Sequence, residues 1–334
     1  MSSRILLLTG GTGLIGFRVL LSVLREGWTV RAAVRSASKA DFLAKHPLIV
    51  AAVGTTNKLS FVEVPDICAD NAYDEAVKGV THIIHLASPI PSPELDLVTG
   101  IYEPNVKSIM TMLECAIKSP SLKKLIFTTS AYANTPFPPD ASFTITPDSR
   151  VPNMSGPFDD MVTAYWASKV ASLNALDLFV EKNKPSFDVV RIFPGWVFGR
   201  DDRALTLQDF HSGTNRVFLS LIIGEEPPLH RPSGTVHVYD TAKLHLLALE
   251  EGAPSSIGST IPHVFNDAWG IVAKHFPKEV EEGILTKGTI PTITVPWDSS
   301  QTASHFNFVF RTWEDIVVDT TSQYLELLAK EPKP

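Results

Sequence analysis

The sequence predicts an α/β protein built on a doubly wound parallel sheet. Short apolar runs alternate with helical patterns along the first half, which is the pattern of strands joined by crossover helices. After Phe193, prolines divide the chain into short, irregular segments, so a smaller C-terminal lobe is expected. We place the sheet domain at residues 1–194 and the lobe at 195–334, with 236–250 returning to the sheet domain.

The predicted strands are apolar runs bounded by turn residues. They cover residues 4–9, 29–34, 59–64, 81–86, 122–128 and 188–193. Helices with apolar residues at helical spacing are predicted at 14–26, 71–78, 102–118 and 163–182. In the lobe, 237–240 predicts a short strand before a helix over 241–250, and 313–329 predicts a terminal helix.

Composition limits the classes of partner. The 334 residues are 44% hydrophobic and 19% charged, which is typical of a globular protein and excludes a disordered chain. A formal net charge of −7 gives no general attraction to nucleic acid or to an anionic membrane, so a small-molecule partner is favoured. Cys68 and Cys115 are too few for a disulfide framework, and no apolar run approaches the length of a membrane span. We expect a cytoplasmic protein, and the sequence leaves a monomer or a dimer open.

A glycine motif, Thr9-Gly10-Gly11-Thr12-Gly13-Leu14-Ile15-Gly16, follows the first predicted strand and opens the first predicted helix. In this placement the first of three spaced glycines allows the turn, the second lets a phosphate approach the backbone, and the third permits close packing of helix on strand. The positive end of the helix favours the same anion. The motif therefore predicts a Rossmann-type dinucleotide site, with contacts from Gly10, Thr12, Gly13, Leu14, Ile15 and Gly16.

The end of the second predicted strand indicates which dinucleotide is bound. An NAD site usually places Asp or Glu there for the ribose 2′-hydroxyl, whereas NADP needs a cation for the 2′-phosphate. This chain carries Arg35 and Lys39, with no acid before Asp41. We therefore predict NADP, used as NADPH; the alternative is a solvated basic turn. Further contacts are predicted from Asp66 and Ile67 at the adenine and from Leu86, Ala87 and Ser88 at the central ribose.

Tyr165 and Lys169 lie four residues apart in a predicted helix and so share one face. A nearby ammonium lowers the pKa of a phenol, which would make Tyr165 a proton donor and acceptor near neutral pH. Together with a dinucleotide site, this pair predicts an oxidoreductase.

Residues 134–160, between the fifth predicted strand and that helix, lose all periodicity and contain six prolines. A helix is excluded there, and the position predicts an excursion that borders the active-site cleft. Two interpretations stay open. The segment either covers the sheet edge or shapes the substrate cleft.

Several different motifs follow one another along the chain. They are 9–16, Val34-Arg35-Ser36, His85-Leu86-Ala87-Ser88-Pro89, Asn105-Val106-Lys107-Ser108, Phe127-Thr128-Thr129-Ser130-Ala131, Tyr165-Trp166-Ala167-Ser168-Lys169, Pro194-Gly195-Trp196-Val197-Phe198-Gly199 and His237-Val238-Tyr239-Asp240. This series, over roughly residues 4–250, resembles the extended branch of the short-chain dehydrogenase/reductase superfamily. Within that branch it resembles the dihydroflavonol reductase-like group, which includes cinnamoyl-CoA and related carbonyl reductases.

The resemblance implies a catalytic triad of Ser130, Tyr165 and Lys169. Ser130 would hydrogen-bond the substrate carbonyl oxygen, and Tyr165 would give that oxygen a proton. Lys169 would hold the nicotinamide ribose and keep the pKa of Tyr165 low.

The resemblance also implies cofactor contacts from Pro194 and Val197 at the nicotinamide carboxamide. Sugar-nucleotide epimerases usually carry an asparagine where this chain has Pro194, which favours a reductase. The group usually has a serine pair where this chain has Thr128-Thr129, so a role for Thr128 at the nicotinamide stays open.

Substrate contacts are predicted from Ser88, Ser130, Tyr132 and Trp166. For the two aromatic residues, lining the cleft and packing are equally favoured. His82 and His85 would face opposite sides of a strand, so no metal site is predicted.

The sequence thus predicts an NADPH-dependent carbonyl reductase acting on a small hydrophobic or aromatic ketone or aldehyde. One alternative is an epimerase, dehydratase or isomerase that keeps its cofactor bound. A second and less favoured one is a non-catalytic protein that senses NADP.

Overall fold

The computed structural model of the protein describes residues 4–227 and 231–331, which divide into two compact units. The first unit holds the described residues up to Pro136, then Pro147–Phe193 and Ala242–Ile257. The second holds Phe137–Thr146, Pro194–Thr241 and the described residues from Gly258 onwards. The segment that returns to the first unit is therefore 242–257, where the sequence predicts 236–250, and part of the proline-rich excursion lies in the second unit.

The elements are as follows. The strands are β1 (Ile5–Thr9), β2 (Thr29–Val34), β3 (Leu59–Glu63), β4 (His82–His85), β5 (Lys124–Thr128), β6 (Asp188–Pro194), β7 (Trp196–Phe198), β8 (Arg231–Pro232), β9 (Thr235–His237), β10 (Ser256–Ser259) and β11 (Thr292–Ile293). The α-helices are α1 (Leu14–Arg25), α2 (Ala37–Lys45), α3 (Pro47–Val53), α4 (Glu103–Ala116), α5 (Met161–Asn183), α6 (Leu207–Phe210), α7 (Asn215–Leu219), α8 (Val238–Leu247), α9 (Ala268–His275), α10 (Pro277–Glu281), α11 (Ser300–Phe306) and α12 (Trp313–Leu328). A π-helical turn, Leu97–Tyr102, leads into α4, and 3₁₀ turns lie at Ala131–Asn134 and Phe265–Asp267.

A seven-stranded sheet forms the centre of the first unit, in the order β10-β6-β5-β4-β1-β2-β3. Strands β1 to β6 pair in parallel. The order reverses beside β1, with β2 on one side and β4 on the other. Ligands of doubly wound sheets bind at the carboxyl ends of the strands at this reversal. The predicted fold class is confirmed, and the six predicted strands are present with ends shifted by no more than two residues.

The helix predicted at 71–78 is wrong, because the segment folds as consecutive turns. Asn71 begins it with a φ of 60°, in the left-handed region, and the Asp74 N–H donates to the Asn71 carbonyl three residues back. The apolar spacing that predicts a helix instead buries Tyr73 and Val77 in the core beside the sheet.

The second unit is built around aromatic side chains. Phe198, Phe218, Phe265 and Trp313 contact one another with ring centroids 5.7 to 6.4 Å apart. Trp313 begins α12, the predicted terminal helix, behind a capping box of Thr312 and Asp315. No helix in the described ranges has the length and apolar character needed to cross a membrane.

Gly16 lies where α1 meets the turn after β1. A Cβ at this position would lie 2.1 Å from the Gly10 carbonyl oxygen, closer than side chains approach a backbone atom. The helix therefore reaches its position on the sheet only with glycine here.

We expect Gly16→Ala to lower the free energy of unfolding by about 1–3 kcal/mol, because the backbone must shift to admit the methyl group. Urea unfolding measures this change. Gly270→Ala in α9 is the matched control, since a Cβ there meets nothing within 4 Å. It should raise stability by about 0.5–1 kcal/mol. Wild-type stability for Gly16→Ala would contradict the close approach.

Candidate active site

The turn after β1 has the shape of a phosphate cradle. Gly10 has a φ of 71°, and a Cβ on it would lie 2.9 Å from the Ala87 nitrogen. Gly13 precedes α1, whose first turn has no side-chain cap, so its N–H groups are available to an anion. A Cβ on Gly13 would meet only the Gly10 oxygen, at 3.4 Å, so the fold itself does not require glycine there. The phosphate contact of Gly13 stays a prediction. Three more residues of the predicted contact set, Thr12, Leu14 and Ile15, lie in this turn and at the start of α1.

Two cations follow β2. Arg35 and Lys39 are exposed, and neither forms an ion pair with any residue that the structure describes. Asp41, the first acid, is paired with Lys45 at 2.8 Å. The side chains present after β2 therefore fit a 2′-phosphate better than a 2′-hydroxyl.

The predicted adenine contacts follow β3. Asp66 is exposed, and its Oδ1 accepts the Cys68 N–H at 2.8 Å, so this carboxylate shapes its own turn. Ile67 is partly buried against the core beside the sheet. Their contact with an adenine stays a prediction.

Lys169 is the central charge of the site. It lies on α5 with 7% of its surface exposed, and its Nζ donates to Ser88 Oγ at 2.7 Å and to Asn105 Oδ1 at 2.9 Å. Ser88 Oγ also donates to Asn105 Oδ1, at 2.8 Å. Among the described residues no carboxylate pairs with Lys169, and burial lowers the pKa of its ammonium to about 8. Both hydrogen-bond acceptors of this buried ammonium are neutral groups.

Asn105 is a site residue to which the sequence assigns no role. It lies on α4 with 2% of its surface exposed, and its Nδ2 donates to the Ile101 carbonyl at 2.8 Å. That bond turns Oδ1 towards Lys169. The available signal is an asparagine on the apolar face of a predicted helix, which is uncommon without a hydrogen-bonding task.

Tyr165 lies one turn before Lys169. The Lys169 Nζ lies 5.0 Å from the centre of the tyrosine ring. Burial raises the pKa of Tyr165 to about 12, which is opposite in direction to the lowering expected from Lys169. The ammonium lies over the ring face, while loss of solvent penalises the phenolate. Tyr165 therefore keeps its proton at neutral pH.

Ser130 follows the end of β5 and begins the turn Ala131–Asn134. Its Oγ accepts the Tyr132 N–H at 3.2 Å. The hydroxyl proton has no acceptor among the described residues, and the side chain is partly exposed. Ser130 therefore combines a capping role with a proton available for a ligand.

The two aromatic candidates differ in position. Tyr132 is partly exposed, and its ring meets that of Tyr165 edge-on at 6.1 Å. Trp166 is only 2% exposed, lies 4.5 Å from the Tyr132 ring, and donates its indole N–H to the Thr135 carbonyl at 2.9 Å. The substrate contact predicted for Trp166 does not fit this buried position, because the side chain packs beneath Tyr132.

Three remaining cofactor candidates have other partners or lie elsewhere. The Thr128 hydroxyl shares a hydrogen bond with His245 Nε2 at 2.7 Å. Pro194 and Val197 are buried residues of the second unit, where the Val197 carbonyl accepts the Thr214 hydroxyl. Nicotinamide contacts from these three residues stay predictions.

Comparison with known proteins identifies the family of the chain. The family model described as "NAD dependent epimerase/dehydratase family" matches residues 6–261. The chain is 34% identical to Ketoreductase CTB6 of Cercospora beticola over 99% of its own length and 98% of that protein. It is 33% identical to NAD-dependent epimerase/dehydratase ALT6 of Alternaria alternata, over 84% and 85% of the two chains.

Solved structures share the fold. Yeast methylglyoxal/isovaleraldehyde reductase Gre2, crystallised with NADPH, superposes with a TM-score of 0.82 at 24% identity, covering 98% of this chain and 100% of that one. Vestitone reductase from alfalfa superposes with a TM-score of 0.71 at 21% identity, over 96% and 98%. The resemblance predicted from the motifs is confirmed. The chain belongs to the NAD-dependent epimerase/dehydratase family.

Proposed function

We propose that the protein is an NADPH-dependent reductase that converts a small hydrophobic or aromatic ketone or aldehyde to an alcohol. The observation that carries the proposal is the position of the buried Lys169 ammonium, 5.0 Å from the centre of the Tyr165 ring. The name of the ketoreductase relative and the NADPH bound to the yeast reductase support it. Arg35 and Lys39, free of ion pairs with described residues, support the choice of NADPH.

The reduction needs a hydride and a proton. NADPH supplies the hydride when bound, and Tyr165 gives its phenolic proton to the carbonyl oxygen. Ser130 hydrogen-bonds the same oxygen through its hydroxyl and keeps its own proton, while its Oγ accepts the Tyr132 N–H. Lys169 stabilises the phenolate left on Tyr165, and this charge was absent before the proton transfer. The positive charge of Lys169 therefore stabilises the transition state more than the ground state.

A second candidate rests on the ALT6 relative, which is named an epimerase/dehydratase. Such an enzyme would keep its dinucleotide bound and return the hydride to the same substrate. NAD that co-purifies with the protein, without net NADPH consumption on any carbonyl, would favour this candidate over the reductase.

We expect Tyr165→Phe to lower kcat/KM for carbonyl reduction by about 10²–10⁴-fold, because the proton donor is lost. NADPH affinity should stay near the wild-type value. The measurement is NADPH oxidation across a panel of ketones and aldehydes, with Tyr324→Phe in the core of the second unit as the matched control. Undiminished reduction by Tyr165→Phe would overturn the assigned role.

Replacing the two cations should alter the choice of dinucleotide. Arg35→Ala and Lys39→Ala should each raise the KM for NADPH by roughly 10–100-fold, as expected when a charged hydrogen bond is lost, and leave that for NADH unchanged. Lys45→Ala is the matched control, because Lys45 lies on the same helix as Lys39 but pairs with Asp41. An equal change in both KM values would show that neither cation reads the 2′-phosphate.

The rate of reduction should depend on the charge of Lys169. Its pKa of about 8 means that the ammonium is present below this pH and is lost as the pH rises through it. We expect kcat/KM for reduction to be level below about pH 8 and to fall above it. A profile that stays flat through this pH would contradict the role of the ammonium.

Deprotonation of Lys169 should lower the rate of reduction but raise the free energy of unfolding. The ordinary pKa of Lys169 is 10.5, so burial of its ammonium opposes folding at neutral pH, and this cost disappears as the pH rises from about 8 to 10.5. Lys169→Met should therefore unfold at a higher temperature than the wild type at pH 7 while losing activity. A lower melting temperature for Lys169→Met would contradict this expectation.

A further inference from the structure

Thr9, the last residue of β1, has 1% of its surface exposed and a hydroxyl with three hydrogen-bond neighbours. The N–H groups of Leu86 and Ala87 donate to its Oγ1 at 3.1 and 3.0 Å. The third neighbour is His85 Nδ1, at 3.0 Å. Thr9 and His85 are register partners at the carboxyl ends of β1 and β4. The hydroxyl therefore joins the two strands at the point where the strand order reverses.

Proton counting fixes the direction of every bond. A hydroxyl has one proton and two lone pairs, and the N–H groups of Leu86 and Ala87 occupy both lone pairs. Thr9 must therefore donate its proton to His85 Nδ1, so the histidine is neutral and carries its own proton on Nε2. Burial, with a smaller contribution from Lys169, lowers the pKa of His85 to about 3, which keeps this acceptor available at any working pH.

His85 is a poor choice for packing alone. Its ring lies between Tyr73 and Phe127, edge-on at 5.7 and 5.3 Å, and its Nε2 is buried without a hydrogen-bond partner. An unpartnered N–H destabilises a core, and phenylalanine would fill the same space without one. The Nδ1 acceptor is what histidine adds at this position.

The segment held by this hydroxyl touches both halves of the site. Gly10, the first glycine of the cradle, approaches Leu86 and Ala87 so closely that a Cβ would lie 2.9 Å from their backbone atoms. The next residue, Ser88, accepts the Lys169 ammonium at 2.7 Å. A shift of this segment would therefore move the wall of the cradle and the acceptor of Lys169 together.

We propose that Thr9 and His85 are positioning residues that hold the Leu86-Ala87-Ser88 segment against the glycine turn, and thereby set both the dinucleotide cradle and the Ser88 contact of Lys169. The proposal rests on the proposed function for its catalytic half. Its binding half requires only that the protein takes up NADPH.

The test combines NADPH titration by calorimetry, without any carbonyl compound, with the pH profile of reduction. Thr9→Val and His85→Phe should each weaken NADPH binding by roughly tenfold, as expected for about one lost hydrogen bond. They should also move the fall in kcat/KM to lower pH, because Lys169 loses part of the contact that favours its charged form. Thr9→Ser keeps the hydroxyl and should restore both values to near wild type.

Thr81→Val is the matched control. Thr81 donates to the Ile5 carbonyl at 3.1 Å and pairs with His82 Nδ1 at 2.9 Å, so it is a threonine–histidine pair at the other end of the same two strands. It should lower the melting temperature without changing NADPH affinity or the pH profile. The proposal would be overturned if Thr9→Val and His85→Phe changed NADPH binding and the pH profile no more than Thr81→Val does. Thr9 and His85 would then have only a structural role.

The outcomes separate the two proposals. A wild-type protein that binds NADPH but reduces no carbonyl would reject the reductase, while loss of affinity in Thr9→Val would still support the cradle. Should His85→Phe fail to fold, nitrogen NMR of the native protein gives the tautomer of His85 directly. A proton on Nδ1 would overturn the proposal, and a proton on Nε2 would support it.

Discussion

The burial of the Lys169 ammonium, without a carboxylate partner among the residues that the structure describes, is the constraint on which the rest of the first unit depends. A buried charge is tolerated only when surrounding dipoles replace the water it has lost. Here Ser88 and Asn105 provide the dipoles, and they come from the segment after β4 and from α4. A carboxylate in their place would stabilise the ammonium more strongly, but it would also cancel the positive potential that the proposed proton transfer from Tyr165 would require.

The same burial raises the pKa of Tyr165. In water a nearby ammonium lowers the pKa of a phenol, and the spacing of Tyr165 and Lys169 in the sequence predicts this effect. In the folded protein the loss of solvent outweighs the charge, since the ammonium lies over the ring face. The resulting site stores a proton on the tyrosine and a positive charge beside it. In the proposed reduction the proton would pass to the substrate and the positive charge would stabilise the phenolate. Alcohol oxidation would first have to remove the proton from Tyr165.

What the sequence predicts well is what local patterns determine. Apolar runs predict the strands, and the spacing of the glycines predicts the turn after β1. Both are present in the structure. The missed features depend on distant partners. Asn105 faces a lysine 64 residues away, and the Thr9 hydroxyl meets a histidine 76 residues away. Trp166 illustrates the reverse error, because its place next to Tyr165 in sequence gives no sign that its indole turns inward to Thr135.

The first unit is assembled from three separate stretches of chain, and this has a consequence for synthesis. The strand β10, on the edge of the central sheet, and the helix residue His245, which bonds Thr128 of β5, both belong to the late part of the chain. A ribosome makes them only after the whole of Pro194–Thr241, the first long stretch of the second unit. Until then the outer edge of β6 stays an unpaired strand edge, which is a template for aggregation. During synthesis the edge of β6 must therefore be kept from pairing with other chains until β10 has been added.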